Sequence, residues 1–330
     1  MSAAPGTPAA TRATSAELPA GTATTVRVPA TSANLGPGFD AFGLALDLHD
    51  EVRARVVPGG VRVHVEGQGA GRLPGDARHL VARVALEALA AAGCAVEGLE
   101  LVCRNAIPQG RGLGSSASAI VAGLAVAEGL AQAAGLPGAA GHEARERLLL
   151  ESSRREGHPD NAAPAVFGGF TIAWTRGDDP THPEAVRSVR LPVHPEVRAV
   201  VCVPAEELAT SRARALLPAT VPHADAALTA GRAGLLVHAL TSAPELLVDA
   251  TVDRLHQDQR GPAMPRTAAL LRLLRARGLA AVVSGAGPSA LVLVPAARVA
   301  EVQEVAAAHG GWQVLALPVA EHGVSWTPGA

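Results

Sequence analysis

Residues 108 to 118 read Pro-Gln-Gly-Arg-Gly-Leu-Gly-Ser-Ser-Ala-Ser, and an Ala-, Val- and Leu-rich run follows from Ile120 to Leu130. A flexible loop therefore leads into the start of an apolar helix. A helix start carries backbone N–H groups without intrahelical partners, at the positive end of the helix dipole. Anions, and phosphates above all, bind at such places. Glycine lets a ligand come close to the backbone because no Cβ stands between them. Ser115 or Ser116 could also simply cap the helix, since serine is a favoured cap residue. The alternating Gly110, Gly112 and Gly114 favour the anion, because a cap needs none of them.

The loop is not a P-loop, which requires Lys before its Ser or Thr. This chain has no Lys, and all 28 of its basic residues are Arg. The dinucleotide fingerprint G-x-G-x-x-G is not met either, with glycines at 110, 112 and 114. Backbone amides, the helix dipole, Arg and a metal must then meet the phosphate charge.

Its 330 residues allow one large or two medium domains. Hydrophobic residues make up 48% but aromatics only 2%, so Ala, Val and Leu must fill the interior. A net charge of −2 argues against a nucleic-acid or membrane-surface partner. Cys94, Cys103 and Cys202 lie scattered in apolar runs, with no metal or disulfide spacing. Buried thiols in a reducing compartment are expected. Residues 1 to 20 have no apolar core like that of a signal peptide and read as a disordered tail. No stretch has the length of a membrane span, residues 113 to 127 coming closest before Glu128. A soluble cytoplasmic protein is expected.

In chain order, a short strand at 24 to 28 leads into the turn-rich stretch Pro29 to Asp40, which carries Asn34 and Asp40. The runs 52 to 57 and 61 to 65 alternate around Pro58-Gly59-Gly60 and predict a hairpin. Leu80 to Ala92 and His142 to Glu156 predict helices. The second ends before Gly157-His-Pro-Asp-Asn161. Residues 176 to 189 are polar and irregular and mark a connection. The remainder reads β-α-α-β-β-α-β, with Ser284 to Ser289 between two strands.

Gly-Leu-Gly-Ser-Ser-Ala at 112 to 117 resembles the signature of the GHMP kinase superfamily. Val28 to Asp40 resembles its N-terminal substrate motif, and Val282 to Ser289 its third motif. The three stand in the family order. Pro29 to Asp40, Gly157-His-Pro-Asp-Asn161 and Thr210-Ser-Arg-Ala-Arg-Ala-Leu-Leu-Pro218 are similar to the homoserine kinase branch. The resemblance implies an α+β fold of two domains. Residues 21–175 would be ribosomal protein S5 domain 2-like and residues 190–330 ferredoxin-like.

It also implies ATP and Mg²⁺ as cofactors and L-homoserine as phosphoryl acceptor, on the route to threonine, and a homodimer is common among relatives. The phosphate loop would comprise Pro108, Gly110, Arg111, Gly112, Leu113, Gly114, Ser115, Ser116, Ala117 and Ser118. Ser284, Gly285 and Gly287 of the third motif would pack beside it. Ser116 and Glu151 match the family's metal-binding pair, with Glu156 a rival. Arg214 and Arg260 match family arginines, and their forks suit the substrate carboxylate. Arg212 reads as a solvated surface group. Asn34 and Asp40 supply acceptors for the ammonium, although turn chemistry would equally account for them. His158, Asp160 and Asn161 would line the pocket near the hydroxyl. Asp160 is the candidate base and Asn161 the group that orients the hydroxyl, with Arg214 completing the catalytic set. His79, standing where relatives commonly carry Asn, marks the adenine vicinity. The alternatives are another kinase of the superfamily, acting on mevalonate or a sugar, and a non-catalytic ATP-binding module.

Overall fold

The structure, a computed structural model, describes residues 16–136, 141–177 and 185–329. Alternating and continuous apolar runs give strands β1 (Ala16–Glu17), β2 (Ala23–Ala33), β3 (Phe42–Val56), β4 (Gly60–Gly67), β5 (Cys94–Ala95), β6 (Gly98–Asn105), β7 (Phe170–Thr175) and β8 (Val186–Leu191). Then come β9 (Val197–Pro204), β10 (Ala280–Val283), β11 (Ala290–Pro295), β12 (Trp312–Leu317) and β13 (Ser325–Gly329). The helices are α1 (Leu80–Ala91), α2 (Ser115–Ala133), α3 (His142–Glu156), α4 (Ala162–Phe167), α5 (Thr210–Arg214), α6 (His223–Thr241), α7 (Leu247–Ala250), α8 (Gln257–Arg260), α9 (Pro265–Ala276) and α10 (Val299–Ala308).

Two sheets carry the architecture. The first runs β13-β2-β3-β6-β4, with β7 and β8 continuing from the far part of β3. The second is antiparallel in the order β10-β11-β9-β12, which is the ferredoxin-like arrangement. One core lies between the first sheet and helices α1 and α2, built from Val26, Val28, Leu99, Leu101, Val84 and Val121. Side chains on β9 alternate between faces. Ala199, Val201 and Val203 join Leu35, Leu44 and Leu113 in a core that spans the two sheets. Val200 and Cys202 face the opposite way, toward Leu270, Leu274 and Val302. Apolar burial at about 25 cal/mol per Å² thus ties the two halves into one body.

Helix α2 is long and apolar enough to cross a membrane, but most of it is buried against the first sheet and its companion helices. The three cysteines are buried and free, and burial pushes the Cys103 and Cys202 thiols up to about 12.

Several expectations are corrected. Strands β3 and β4 do not form a hairpin. β6 inserts between them, antiparallel to β3 and parallel to β4. Leu99, Leu101 and Cys103 make β6 fully apolar on its inner face, which suits a central position, whereas β4 is half exposed and takes the edge. The tail expected over residues 1–20 ends earlier: Ala16–Glu17 pair with Cys94–Ala95, and Leu18 is buried. Residues 1–15 lie outside the described residues.

The domain limits 21–175 and 190–330 also shift. Val186–Leu191 extends the first sheet beside β7, and β13 returns from the chain end to pair with β2. β13 is largely exposed and β8 is half-buried, and the composition of both resembles loop. Pairing with an existing edge, rather than propensity, makes them strands.

Candidate active site

Helix α2 begins at Ser115. Its N-cap is Gly114, in the left-handed conformation with φ 67°, and no side chain caps it. The simple cap reading of the two serines therefore fails, and the first N–H groups of α2 point out of the helix end. Gly112, with φ 71°, lies against the third motif: a Cβ there would sit 2.2 Å from the Ser284 carbonyl oxygen and 2.8 Å from that of Gly287. Ser284 Oγ donates to the Gly112 carbonyl at 2.6 Å, and its own partner is Ser32 Oγ at 2.8 Å. The Gly285 amide donates to Ala33. Three segments far apart in sequence thus meet through the backbone.

A cavity of about 150 Å³ opens at this junction. The phosphate loop supplies Gly110, Gly112, Gly114, Ser115, Ser116 and Ala117 to it. Asn34, Asp40, Glu156, His158, Asp160, Asn161, Arg214, Arg260 and Gly285 line the rest. Most of the expected substrate and catalytic residues are therefore together.

Their internal geometry is specific. Arg214 donates to both oxygens of Asp40, at 2.7 and 3.0 Å. Asn34, Leu35 and Asp40 all have positive φ, a costly conformation for residues with a side chain. Hydrogen bonds hold it: Asn34 Nδ2 donates to Gly285 at 2.9 Å, and Asn34 Oδ1 accepts from the Asp40 amide at 2.9 Å. Arg260 is 1% exposed. Its Nη1 donates to the Gly285 carbonyl and to His256 Nδ1, both at 3.2 Å. His256 Nε2 contacts the Gly36 carbonyl at 2.8 Å, so a neutral ring with the proton on Nε2 satisfies both contacts. Burial keeps the His256 pKa below its ordinary value.

His158 Nδ1 and Asp160 Oδ1 are 2.6 Å apart, and this bond raises the His158 pKa. Asp160 is buried, and Asn161 Nδ2 also approaches its Oδ1, at 3.4 Å. Thr31 Oγ1 donates to Asn161 Oδ1 at 2.8 Å, which fixes the amide with its NH₂ toward Asp160.

Five expectations change here. Ser116 does not meet Glu151. Ser116 Oγ donates to Glu156 Oε1 at 2.6 Å, whereas Glu151 is held by Arg154 and Arg155, at 2.7 and 2.8 Å, one helical turn on. Arg111 turns away from the cavity, donating to the carbonyls of Pro204, Gln109 and Ala205. Leu113 is core, and Pro108 lines a separate surface cleft with Arg111. Ser118 is buried, with its hydroxyl on the Pro29 carbonyl.

A second cavity of about 310 Å³ lies on the other side of Ser115 and Ser116, which line both. Its walls include Leu73, Pro74, Val52, Ala119 and Ala122. His79 lines it too, buried, with neither ring nitrogen partnered among the described residues. Buried polar atoms without partners are rare in proteins, and a ligand is one explanation. Burial lowers the His79 pKa and so favours a neutral ring. Asp50 shares this wall. Its Oδ1 accepts from the Ala106 and Ile107 amides, at 2.7 and 2.9 Å, yet burial raises its pKa to about 6.

The GHMP kinases N terminal domain model matches residues 79–169, and the GHMP kinases C terminal model residues 226–311. The chain is 49% identical over 309 residues to the homoserine kinase of Rhodococcus erythropolis (strain PR4 / NBRC 100887), covering 92% of this chain and 96% of that one. It is 45% identical over 306 residues to the homoserine kinase of Streptomyces coelicolor, covering 92% and 94%.

The chain belongs to the homoserine kinase family.

The solved homoserine kinase of Cytophaga hutchinsonii ATCC 33406 superposes with a TM-score of 0.78 at 28% identity, covering 92% of this chain and 97% of that one. The mevalonate diphosphate decarboxylase of Enterococcus faecalis shares the fold at 15% identity and a TM-score of 0.62, covering 93% and 99%. Within this homoserine kinase fold, sequence reasoning overlooked Thr31, Phe39, Asp50 and His256. Thr31 and Phe39 stand inside a quoted motif without a role of their own. Asp50 lies inside β3 in the polar run His49-Asp-Glu51, where an acid looks solvent-facing. His256 opens the stretch His256-Gln-Asp-Gln-Arg260, in which only the arginine suggests a role.

Proposed function

We propose that this kinase transfers the γ-phosphoryl group of ATP to the terminal hydroxyl of L-homoserine, giving O-phospho-L-homoserine and ADP, a step toward threonine. The observation that carries the reading is the pairing of opposite charges, Asp40 with Arg214, beside the open N-terminus of α2. An amino-acid alcohol brings one ammonium and one carboxylate. Asp40 and Asn34 suit the first, and Arg214 with Arg260 suits the second. The hydroxyl then falls to the His158–Asn161 side, near the phosphate loop.

Phosphoryl transfer depends on positioning and charge neutralisation more than on covalent chemistry. The N–H groups of residues 115 to 117 and the dipole of α2 would hold phosphate oxygens. The base and ribose would occupy the second cavity, where His79 and Asp50 offer hydrogen-bonding groups.

Mg²⁺ typically takes one or two carboxylates, phosphates and waters. Ser116 Oγ, at the edge shared by both cavities, and Glu156 Oε1, in the wall of the first, are two hard oxygens in contact, and so fit it. When bound there, the ion would neutralise charge on the phosphates. Asp160 shares one oxygen between His158 and Asn161, which suits orientation of those groups better than proton abstraction. Asn161, fixed by Thr31, would orient the substrate hydroxyl.

ADP release by the purified chain with Mg-ATP tests the reading. L-Homoserine should drive it well above background, and mevalonate, galactose and L-serine should not. Equal rates with and without homoserine would overturn it. The use of ATP supports an enzyme of the cell interior acting on small metabolites.

A further inference from the structure

Phe39 occupies an unusual position between two cations. The Arg214 guanidinium lies 5.7 Å from its ring centroid and that of Arg260 lies 5.4 Å from it. The His256 ring is stacked at 5.1 Å, tilted by 30°. Phe39 itself does not line the cavity, whereas both arginines do.

Two guanidinium groups that converge on one small cavity repel each other. The repulsion is visible in Arg260, whose pKa is lowered first by burial and then by the charge of Arg214. Asp40 gives both of its oxygens to Arg214. Arg260 forms no salt bridge among the described residues; its contacts are a carbonyl and a neutral imidazole, and its buried Nε has no hydrogen-bond partner. The carboxylates of Asp40, Asp160 and Asp253 attract Arg260 without pairing with it, and the electron-rich face of an aromatic ring adds a close-range attraction that can act on both groups at once. A ring also has only two side-chain torsions to fix and carries no competing charge.

We infer that Phe39 is a positioning residue that holds Arg214 and Arg260 together as one carboxylate-binding unit. This rests on the proposal that the two arginines receive the substrate carboxylate. Phe39 also precedes Asp40 directly, so the ring and the acid that pairs with Arg214 move as one element. The positive φ of Asp40 fixes the angle between them. The ring thus sets where the carboxylate end of the substrate lies, while the hydroxyl end is set by His158 and Asn161.

Phe39→Leu removes the ring's quadrupole, and Phe39→Tyr keeps it. With L-homoserine, Phe39→Leu should raise KM about tenfold with kcat within twofold, whereas Phe39→Tyr should stay within twofold in both. The carboxylate-free analogue 3-aminopropan-1-ol isolates the effect. Its kcat/KM should be the same for wild type and Phe39→Leu. NMR of the free protein supplies a readout independent of turnover. The side-chain N–H signals of Arg214 and Arg260, assigned with Arg214→Lys and Arg260→Lys, should be shifted upfield by the ring. They should return to ordinary positions in Phe39→Leu and be restored in Phe39→Tyr.

An equal penalty on the carboxylate-free alcohol, a Phe39→Tyr as impaired as Phe39→Leu, or arginine signals that do not move would each overturn the inference. If wild-type protein leaves homoserine untouched, the functional reading fails instead, and the arginine signals still decide the role of Phe39.

Discussion

Arg214 grips both carboxylate oxygens of Asp40, at 2.7 and 3.0 Å, across 174 residues of chain. The pair joins the turn-rich motif near the N-terminus to helix α5. On the proposed function each partner would receive one end of a zwitterion, and in the free protein each neutralises the other.

Replacing Arg214 by Lys keeps the charge and removes the planar fork. We expect kcat/KM for L-homoserine to fall about a hundredfold, because a lysine cannot pair bidentately. Both side chains are partly exposed, so the melting temperature should barely move. Steady-state kinetics alongside thermal denaturation checks both statements, and a large loss of Tm with intact kinetics would contradict them.

Glu156 and Glu151 separate cleanly by Mg²⁺ titration. Glu156 is on Ser116, and Glu151 is on two helix arginines. Glu156→Gln should raise the Mg²⁺ concentration needed for half-maximal rate about tenfold. Glu151→Gln should leave that value unchanged. The reverse result would restore Glu151 as the metal residue.

Two glycines of the phosphate loop should respond differently to alanine. Gly110 and Gly112 both have positive φ, which costs an alanine about 1 kcal/mol. At Gly110 the nearest atom to a new Cβ is 3.4 Å away, on the side chain of Glu207. At Gly112 the obstacles are the backbone oxygens of Ser284 and Gly287, which cannot step aside. Gly110→Ala should therefore lose about 1 kcal/mol in urea unfolding, and Gly112→Ala about 3 kcal/mol or more with loss of kinase activity.

Asp50 should give the stability curve a recognisable slope. Its folded pKa is raised to about 6, from the ordinary value of 3.8, chiefly by burial. The folded state then holds this proton where the unfolded state has already lost it. Between about pH 4 and pH 6 the Asp50 contribution to stability falls as pH rises, by up to about 3 kcal/mol, and is flat above that window. Asp50→Asn removes the titration. The stability of wild type relative to that variant should drop through this window, as measured by denaturant unfolding at a series of pH values. No change in the difference between pH 4 and pH 7 would sink the assignment.

Much of the site was legible because it is written in local motifs. Gly112 and Gly114 need no partner in sequence to declare a loop with positive φ, and Ile120 to Leu130 declare the helix behind it. Asn34, Asp40, His158, Asn161, Arg214 and Arg260 stand out as candidates from their motifs, and they share one cavity. What misled was anything settled by direction. Arg111 sits in the middle of the loop, yet its guanidinium finds three carbonyls on the other side. Glu151 and Glu156 are five residues apart on one helix, which turns them to different neighbours at about 100° per residue. No feature of their immediate sequence says which one faces Ser116.

By itself, the sequence determined the α+β alternation, the phosphate loop ahead of an apolar helix, the exclusion of a lysine-dependent P-loop and the set of polar residues available for chemistry. Those depend on short-range properties: periodicity, glycine's tolerance of positive φ, and residue type. Only the tertiary structure decided that β6 separates β3 from β4, that β13 returns to β2, that Ser116 pairs with Glu156 and that Phe39 stands between Arg214 and Arg260. Each of these joins segments remote in the chain. Their energies come from sheet edges, buried charge and ring faces that exist only once the two sheets have closed on a common core.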